Sequence, residues 1–74
     1  MTGKTDQQWQ KDRQVLALEG IYREFGFPSQ ARMAREIGIS PATLSRAMDR
    51  SRLCLISDET GLKVARFLGL RNAT

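Results

Sequence analysis

The sequence is poor in the residues that usually carry catalysis or hold metal ions. It has no histidine, and so it lacks the commonest general base and the commonest metal ligand. Its single cysteine, Cys54, excludes an internal disulfide and a cysteine-built metal site, and we expect a reduced, half-buried thiol there. The sequence also lacks a recognisable nucleophile–base pair, carboxylate pair or glycine-rich phosphate loop. These absences argue against an enzyme, and no cofactor or small-molecule ligand is expected.

Long apolar runs are missing as well. No stretch has the length of a membrane span, and no signal-peptide pattern is present, so we expect a cytoplasmic protein. The 74 residues suffice for one small domain, 1–74, whose first five residues are expected to be loose.

Positive charge is present in excess and is unevenly placed. The net charge is +4, and residues 29–52 hold five arginines against two acidic side chains. Residues 1–28 hold equal numbers of basic and acidic side chains. A local basic excess of this kind suits contacts with phosphate groups.

The N-terminal third has the signals of one long helix. Thr5 and Gln8 fit a capping box, so the helix is predicted to begin near Asp6. It is predicted to run to about Phe25, where Gly26 can end it. The apolar side chains expected to form the floor of the core are Val15, Leu18, Ile21, Tyr22 and Phe25.

Residues 29–50 (SQARMAREIGISPATLSRAMDR) have the signals of two short helices joined by a tight turn. The first is predicted over about Gln30–Ile37, after a capping serine. Gly38 can adopt the left-handed turn conformation at little cost. Ser40 can then cap a second helix, with Pro41 at its first position.

The spacing gives both short helices an inner face. Ala34 is predicted to lie where the helices cross, because a larger side chain there would push them apart. Ile39 is expected to fill the space between them. The predicted inward residues are Met33, Ala34, Ile37, Leu44, Ala47 and Met48.

The opposite face of the second short helix carries small and polar side chains. Such a face fits a DNA major groove about 12 Å wide, and Arg46 can offer a bidentate fork to guanine. A purely structural helical hairpin is the alternative interpretation. The face comprises Ala42, Ser45, Arg46 and Asp49, with Pro41 and Arg50 at its margins.

The pattern Gln-x-x-x-Ala-x-x-x-Gly, formed here by Gln30, Ala34 and Gly38, resembles the helix-turn-helix of the lambda-repressor/Cro superfamily. The likeness covers roughly residues 12–70. It implies an all-α domain, a small bundle of four or five short helices that contains the motif. The superfamily's fifth helix has no counterpart after Leu70.

The resemblance also implies a function. It implies a sequence-specific transcription regulator, of the repressor or Cro kind found in phages and prophages, that binds double-stranded DNA as a homodimer on a palindromic operator. Such a protein acts in the bacterial cytoplasm. The implied base-reading positions are Pro41, Ala42, Ser45 and Arg46, and the implied phosphate-contacting positions are Gln30, Thr43, Arg50 and Arg52.

The C-terminal segment allows two interpretations. We predict a helix that Ser57 caps and Gly69 closes, with Leu70 packing after it. The alternative is a hairpin of strands 53–57 and 62–67, which would give an α+β fold as in Cro-type proteins. The inward side chains predicted for the helix are Val64, Ala65 and Leu68, with Leu62 nearby.

One set of residues on the first helix does not fit its core-facing side. Trp9, Arg13, Leu16 and Gly20 align on roughly the opposite side and could form a partner surface. The alternative, which we favour, is that Trp9 and Leu16 pack against the chain's own ends. A partner surface would suit a second function, a protein-interaction module such as an antitoxin or the N-terminal regulatory domain of a larger DNA-transaction protein. The apolar stretch 52–56 (RLCLI) would also suit it.

Overall fold

The computed structural model describes residues 5–72, with the side chains of residues 5–69, and this part of the chain forms helices and no strands. The all-α prediction is therefore confirmed for these residues, and the C-terminal hairpin is wrong. The helices are α1 (Asp6–Glu24), α2 (Gln30–Ile37), α3 (Pro41–Ala47) and α4 (Asp58–Asn72).

Side-chain caps fix the starts of the helices where the sequence predicts them. The Thr5 hydroxyl accepts a hydrogen bond from the Gln8 backbone N–H at 3.2 Å, and the Gln8 side chain accepts one from the Thr5 N–H at 2.8 Å. This reciprocal pair satisfies two N–H groups that have no partner within the helix. Each of the other three helices is capped by a serine hydroxyl that accepts from the backbone N–H three residues later, and these serines are Ser29, Ser40 and Ser57.

Two glycines with positive φ end α1 and α2. Gly26 has a φ of 65°, and Gly38 has a φ of 94°. A side chain at either position would be strained in this left-handed conformation. The N–H groups of Gly38 and Ile39 both donate to the Ala34 carbonyl, at 2.8 and 2.9 Å. Residues 38–40 thus turn the chain sharply from α2 into α3.

The core lies between α1, the α2–α3 pair and α4. The inward faces predicted for α1, α2 and α3 are confirmed, and Ile39 packs against this core as expected. The rings of Phe25 and Phe67 meet edge to face, with centroids 5.2 Å apart, and Phe27 lies against both. The buried residues of this cluster are Leu18, Ile21, Met33, Ala34, Ile37, Leu44, Ala47 and Phe67.

The inner face predicted for α4 is wrong in part, and the end predicted for this helix is also wrong. Phe67 is its buried residue, whereas Leu62 is 61% exposed and Ala65 is also exposed. Val64 and Leu68 are half-buried against the core, as predicted. The contacts of Phe67 with the rings of Phe25 and Phe27, which follow the end of α1, set the rotation of the helix. The helix also continues past Gly69 to Asn72, and the expected packing of Leu70 lies outside the described side chains.

Of the five N-terminal residues that were predicted to be loose, the structure describes only Thr5. Residues 1–4 lie outside the described part of the chain, and Thr5, which was expected to be loose with them, is the cap of α1. None of the helices in the described part is long and apolar enough to cross a membrane.

Candidate nucleic-acid interface

The outward side of α3 is a continuous exposed surface. Leu44 and Ala47 anchor the helix in the core, and the predicted base-reading residues therefore point away from it. This surface, called the α3 outer face below, comprises Pro41, Ala42, Ser45 and Arg46, all of which are exposed.

The residues expected to contact phosphate differ in their surroundings. Gln30 is exposed at the first position of α2. Thr43 is half-buried, and its hydroxyl lies 2.7 Å from that of Ser40. This hydrogen bond fixes the Thr43 rotamer in the first turn of α3.

Arg50 is turned towards α1. Its guanidinium lies 3.2 Å from Asp12 Oδ1 and 3.6 Å from Glu19 Oε1. Two carboxylates therefore balance its charge, and its side chain joins the loop after α3 to the middle of α1. The structure thus places Arg50 in a role that the sequence did not indicate.

Arg52 lies beside Asp49, with 3.6 Å between its Nε and Asp49 Oδ2. The hydroxyl and the backbone N–H of Ser51 also donate to Asp49 Oδ1, at 2.6 and 3.0 Å. These hydrogen bonds, together with the positive charge of Arg52, hold the pKa of the Asp49 carboxyl below its ordinary value. The Asp49 carboxyl, at the end of the α3 outer face, therefore stays ionised further into the acid range than an ordinary aspartate.

A buried lysine, which the sequence analysis missed, lies behind α3. Lys11 is only 1% exposed, and its ammonium donates to the carbonyls of Arg46 at 2.9 Å and Cys54 at 2.8 Å. Gln14 lies beside it on α1. The Gln14 amide donates to the Ala47 carbonyl and accepts from the Ile56 N–H, both at 2.9 Å. We call Lys11 and Gln14 the α1 clamp.

The α1 clamp satisfies backbone groups that the end of α3 leaves without helical partners. The last carbonyls of a helix carry partial negative charge, and a lysine ammonium placed there is favourable. The clamp also holds the loop after α3 against α1 through Cys54 and Ile56. A signal for it existed, because Lys11 precedes Val15 by four residues and Leu18 by seven and so shares their face.

Comparison with protein-family models, curated proteins and solved structures found no match. We therefore infer the function from the chain's own residues. Within the described part, no three histidine, cysteine, aspartate or glutamate side chains come together as a metal site.

The loop that follows α3 is more exposed than expected. Cys54 is exposed, and the predicted half-buried thiol is wrong, because the backbone carbonyl and not the side chain points towards the α1 clamp. Leu53 and Leu55 on either side are each 40% exposed.

The predicted partner surface on α1 is also exposed. Trp9 is 52% exposed and Leu16 is 60% exposed, and Gly20 faces solvent as well. Packing of Trp9 and Leu16 against the chain's ends, the alternative favoured above, would involve residues 1–4 or side chains after Gly69, which lie outside the described part of the chain. Trp9 lines a shallow groove of about 450 Å³ together with Asp6, Gln10 and Arg13.

Proposed function

We propose that this protein is a sequence-specific DNA-binding transcription regulator that places α3 in the major groove and binds a palindromic operator as a homodimer. The observation that carries the proposal is the α3 outer face. It is exposed along its whole length, it has small side chains at Pro41, Ala42 and Ser45, and it has one long cationic side chain at Arg46. The proposal also rests on the resemblance to the repressor and Cro proteins of phages and prophages.

The composition of the α3 outer face suits base edges. Arg46 can form two parallel hydrogen bonds with guanine O6 and N7, and the Ser45 hydroxyl can donate or accept at any base. Pro41 and Ala42 offer apolar surface, which matches the methyl group of thymine. Small side chains at these positions let the helix backbone approach the groove closely.

The charges around α3 support the same proposal. Among the described residues, Arg46 has no acidic side chain within ion-pair distance, whereas Arg32 is paired with Glu36 at 3.4 Å and Arg50 with two carboxylates. A partner with negative charge can therefore approach Arg46 without displacing an acidic side chain. Duplex DNA supplies that charge along the groove edges.

The proposal is tested by selection from a random-duplex library with the purified protein at moderate salt. We expect an enriched palindrome whose half-site spacing reports the geometry of the dimer. Retention of DNA without enrichment, or no retention, would contradict the proposal and favour a protein-interaction module. The exposed Trp9 and Leu16 are the observation behind that second candidate.

Replacing Arg46 with alanine is expected to weaken binding to the selected operator by about 2 kcal/mol and to relax the preference at one base pair, because a bidentate contact with guanine is lost. Competition binding against operators substituted at each position measures both effects. Arg66→Ala, which changes an exposed arginine on α4, is the matched control. Equal weakening on all sequences would show that Arg46 contacts phosphate instead.

Replacing Arg52 with alanine is expected to weaken binding to all sequences alike and to reduce the slope of log K against log salt by about one unit, because one phosphate contact releases about one counterion. Binding titrations over a series of salt concentrations measure the slope. An unchanged slope would remove Arg52 from the interface. Arg50→Ala is expected to change the slope less, since two carboxylates, Asp12 and Glu19, balance that charge, whereas Arg52 has only Asp49 beside it.

A further inference from the structure

We propose that Lys11 and Gln14, the α1 clamp, are positioning residues for DNA recognition. Through the backbone of α3 they set where the Arg46 side chain meets a base pair. The inference rests on the proposed function, because it concerns how Arg46 reads DNA, and one of its tests uses the free protein so that the two can fail separately. Lys11 is buried behind α3, so it acts on the DNA only through the helix.

The clamp holds the backbone of the residue whose side chain is proposed to read a base. Lys11 Nζ lies 2.9 Å from the Arg46 carbonyl oxygen, and Gln14 Nε2 lies 2.9 Å from the carbonyl oxygen of Ala47. Arg46 is exposed on the α3 outer face, whereas its carbonyl is bound from the side of α1. A displacement at either hydrogen bond would therefore move the Arg46 Cα atom and, with it, the base of the side chain.

The same two side chains also hold the loop after α3. The Cys54 carbonyl accepts from Lys11 Nζ at 2.8 Å and from Gln14 Nε2 at 3.4 Å. The Ile56 N–H donates to Gln14 Oε1 at 2.9 Å. The end of α3 and the loop are thus tied to one place on α1, and the helix cannot slide there without breaking hydrogen bonds to both segments.

Hydrogen bonds fix a position in a way that apolar contacts do not. Apolar burial is non-directional, so a helix held by it alone can shift slightly at little cost. A hydrogen bond weakens steeply outside a narrow range of distance and angle. An ammonium group is also costly to bury, and Lys11 is only 1% exposed. Packing alone would not need this charge, and we attribute to it the fixed placement of α3.

The two ends of α3 are held by different parts of the fold. The start follows a turn in which the Ile39 N–H donates to the Ala34 carbonyl of α2 at 2.9 Å. The start is therefore fixed relative to α2, and the clamp fixes the end relative to α1. If the clamp were loosened, α3 would pivot about its start, and the pivot would displace Arg46 more than Pro41.

The contact proposed with guanine makes the position of Arg46 important. Two parallel hydrogen bonds, to guanine O6 and N7, must form at once, and a good pair of this kind discriminates between bases by about fivefold to a hundredfold. A long side chain can follow part of a backbone shift. We therefore expect a loosened clamp to lose part of this discrimination, about fivefold, at the base pair that Arg46 reads.

The first experiment uses the free protein. Gln14→Met removes both hydrogen-bonding groups of this side chain at similar size. Residual dipolar couplings, measured by NMR, report the direction of each backbone N–H relative to α1. We expect the directions over residues 46–49 to change by about 10° or more, the scale on which a binding geometry is lost, with those of α2 unchanged. Unchanged directions over residues 46–49 would overturn the proposal.

The second experiment measures the reading of each base pair, at a temperature at which circular dichroism shows every variant folded. Competition binding of Gln14→Met should show about a fivefold loss of preference at the base pair that Arg46 reads, and less than about twofold at the others. In an Arg46→Ala protein the same substitution should change no preference by more than about twofold, because the side chain that the clamp places is then absent. Equal losses in both proteins would reflect lower stability and overturn the proposal.

Two further variants control for stability and for the choice of substitution. Ile21→Val shortens a buried side chain of α1 and leaves the clamp intact, so every base preference should stay within about twofold. A fivefold loss there would assign the effect to stability and overturn the proposal.

Gln14→Glu keeps an acceptor for the Ile56 N–H but cannot donate to the Ala47 carbonyl. It should reproduce the loss at the base pair that Arg46 reads, and it carries the test if Gln14→Met does not fold. Full preference in both Gln14 variants would contradict a positioning role.

These outcomes separate the clamp from the function. If Arg46→Ala leaves every base preference unchanged, base reading by Arg46 is wrong, and the measurement on the free protein decides whether the clamp places the end of α3. If Arg46→Ala relaxes the preference and neither Gln14 variant does, α3 reads DNA and the clamp does not position it.

Discussion

Replacing Lys11 with methionine is expected to lower the free energy of unfolding by about 3 kcal/mol, although methionine keeps most of the apolar stem. The change removes two charge-assisted hydrogen bonds, to the carbonyls of Arg46 and Cys54. Each carbonyl then keeps only a longer hydrogen bond, from the Asp49 N–H at 3.3 Å for Arg46 and from the Gln14 amide at 3.4 Å for Cys54. A domain of this size has a total stability of roughly 4–11 kcal/mol, so the loss is a large fraction of it.

Urea denaturation followed by circular dichroism measures this loss. Lys63→Met is the matched control, because the Lys63 side chain is 42% exposed and its contact with Glu59 is 4.0 Å long. The control should change the free energy of unfolding by no more than about 0.5 kcal/mol. If the two variants were equally stable, the α1 clamp would not contribute to the fold.

Replacing Ala34 with leucine is expected to cost about 3 kcal/mol, at the upper end of the range for overpacking. Ala34 is fully buried, and its carbonyl accepts the hydrogen bonds that begin the turn from α2 into α3. The longer side chain would have to separate the two helices or bend that turn. The α3 outer face would then move relative to the rest of the domain.

The control for this substitution lies one turn away. Ala31→Leu changes the same residue type on the exposed side of α2, and it should leave the free energy of unfolding within about 0.5 kcal/mol of the original. Denaturant unfolding of both variants makes the comparison. An Ala34→Leu protein as stable as the Ala31→Leu protein would contradict the close packing of α2 against α3.

The local features of the fold could be predicted from the sequence because their causes are local. A cap such as Thr5 acts on backbone groups three residues away, and the φ of Gly38 is decided at that residue alone. The inner faces of α2 and α3 followed from clear periodicity. The all-helical class and the four helix starts could therefore be predicted from the sequence.

The predictions failed where contacts between residues far apart in the sequence determine which side chains are buried or paired. The apolar residues of α4 surround the helix, so periodicity alone could not select Phe67 over Ala65. The contact of Phe67 with Phe25, which is far away in the sequence, determines which side of α4 is buried. The partners of Lys11 and Arg50 lie across sequence separations of 35 and 38 residues, and a lysine or arginine in a helical pattern normally indicates a solvated side chain.

The length of α3 has a consequence for any ligand that meets its outer face. Seven residues are too few for a helix to persist by itself in water. This helix has one end held by Ser40 and the other by Lys11 and Gln14. Its conformational entropy is thus lost when the chain folds, and a ligand meets a surface that is already ordered. None of these three restraining side chains lies on the α3 outer face. Substitutions on that face can therefore change which ligand it prefers while the helix keeps its shape.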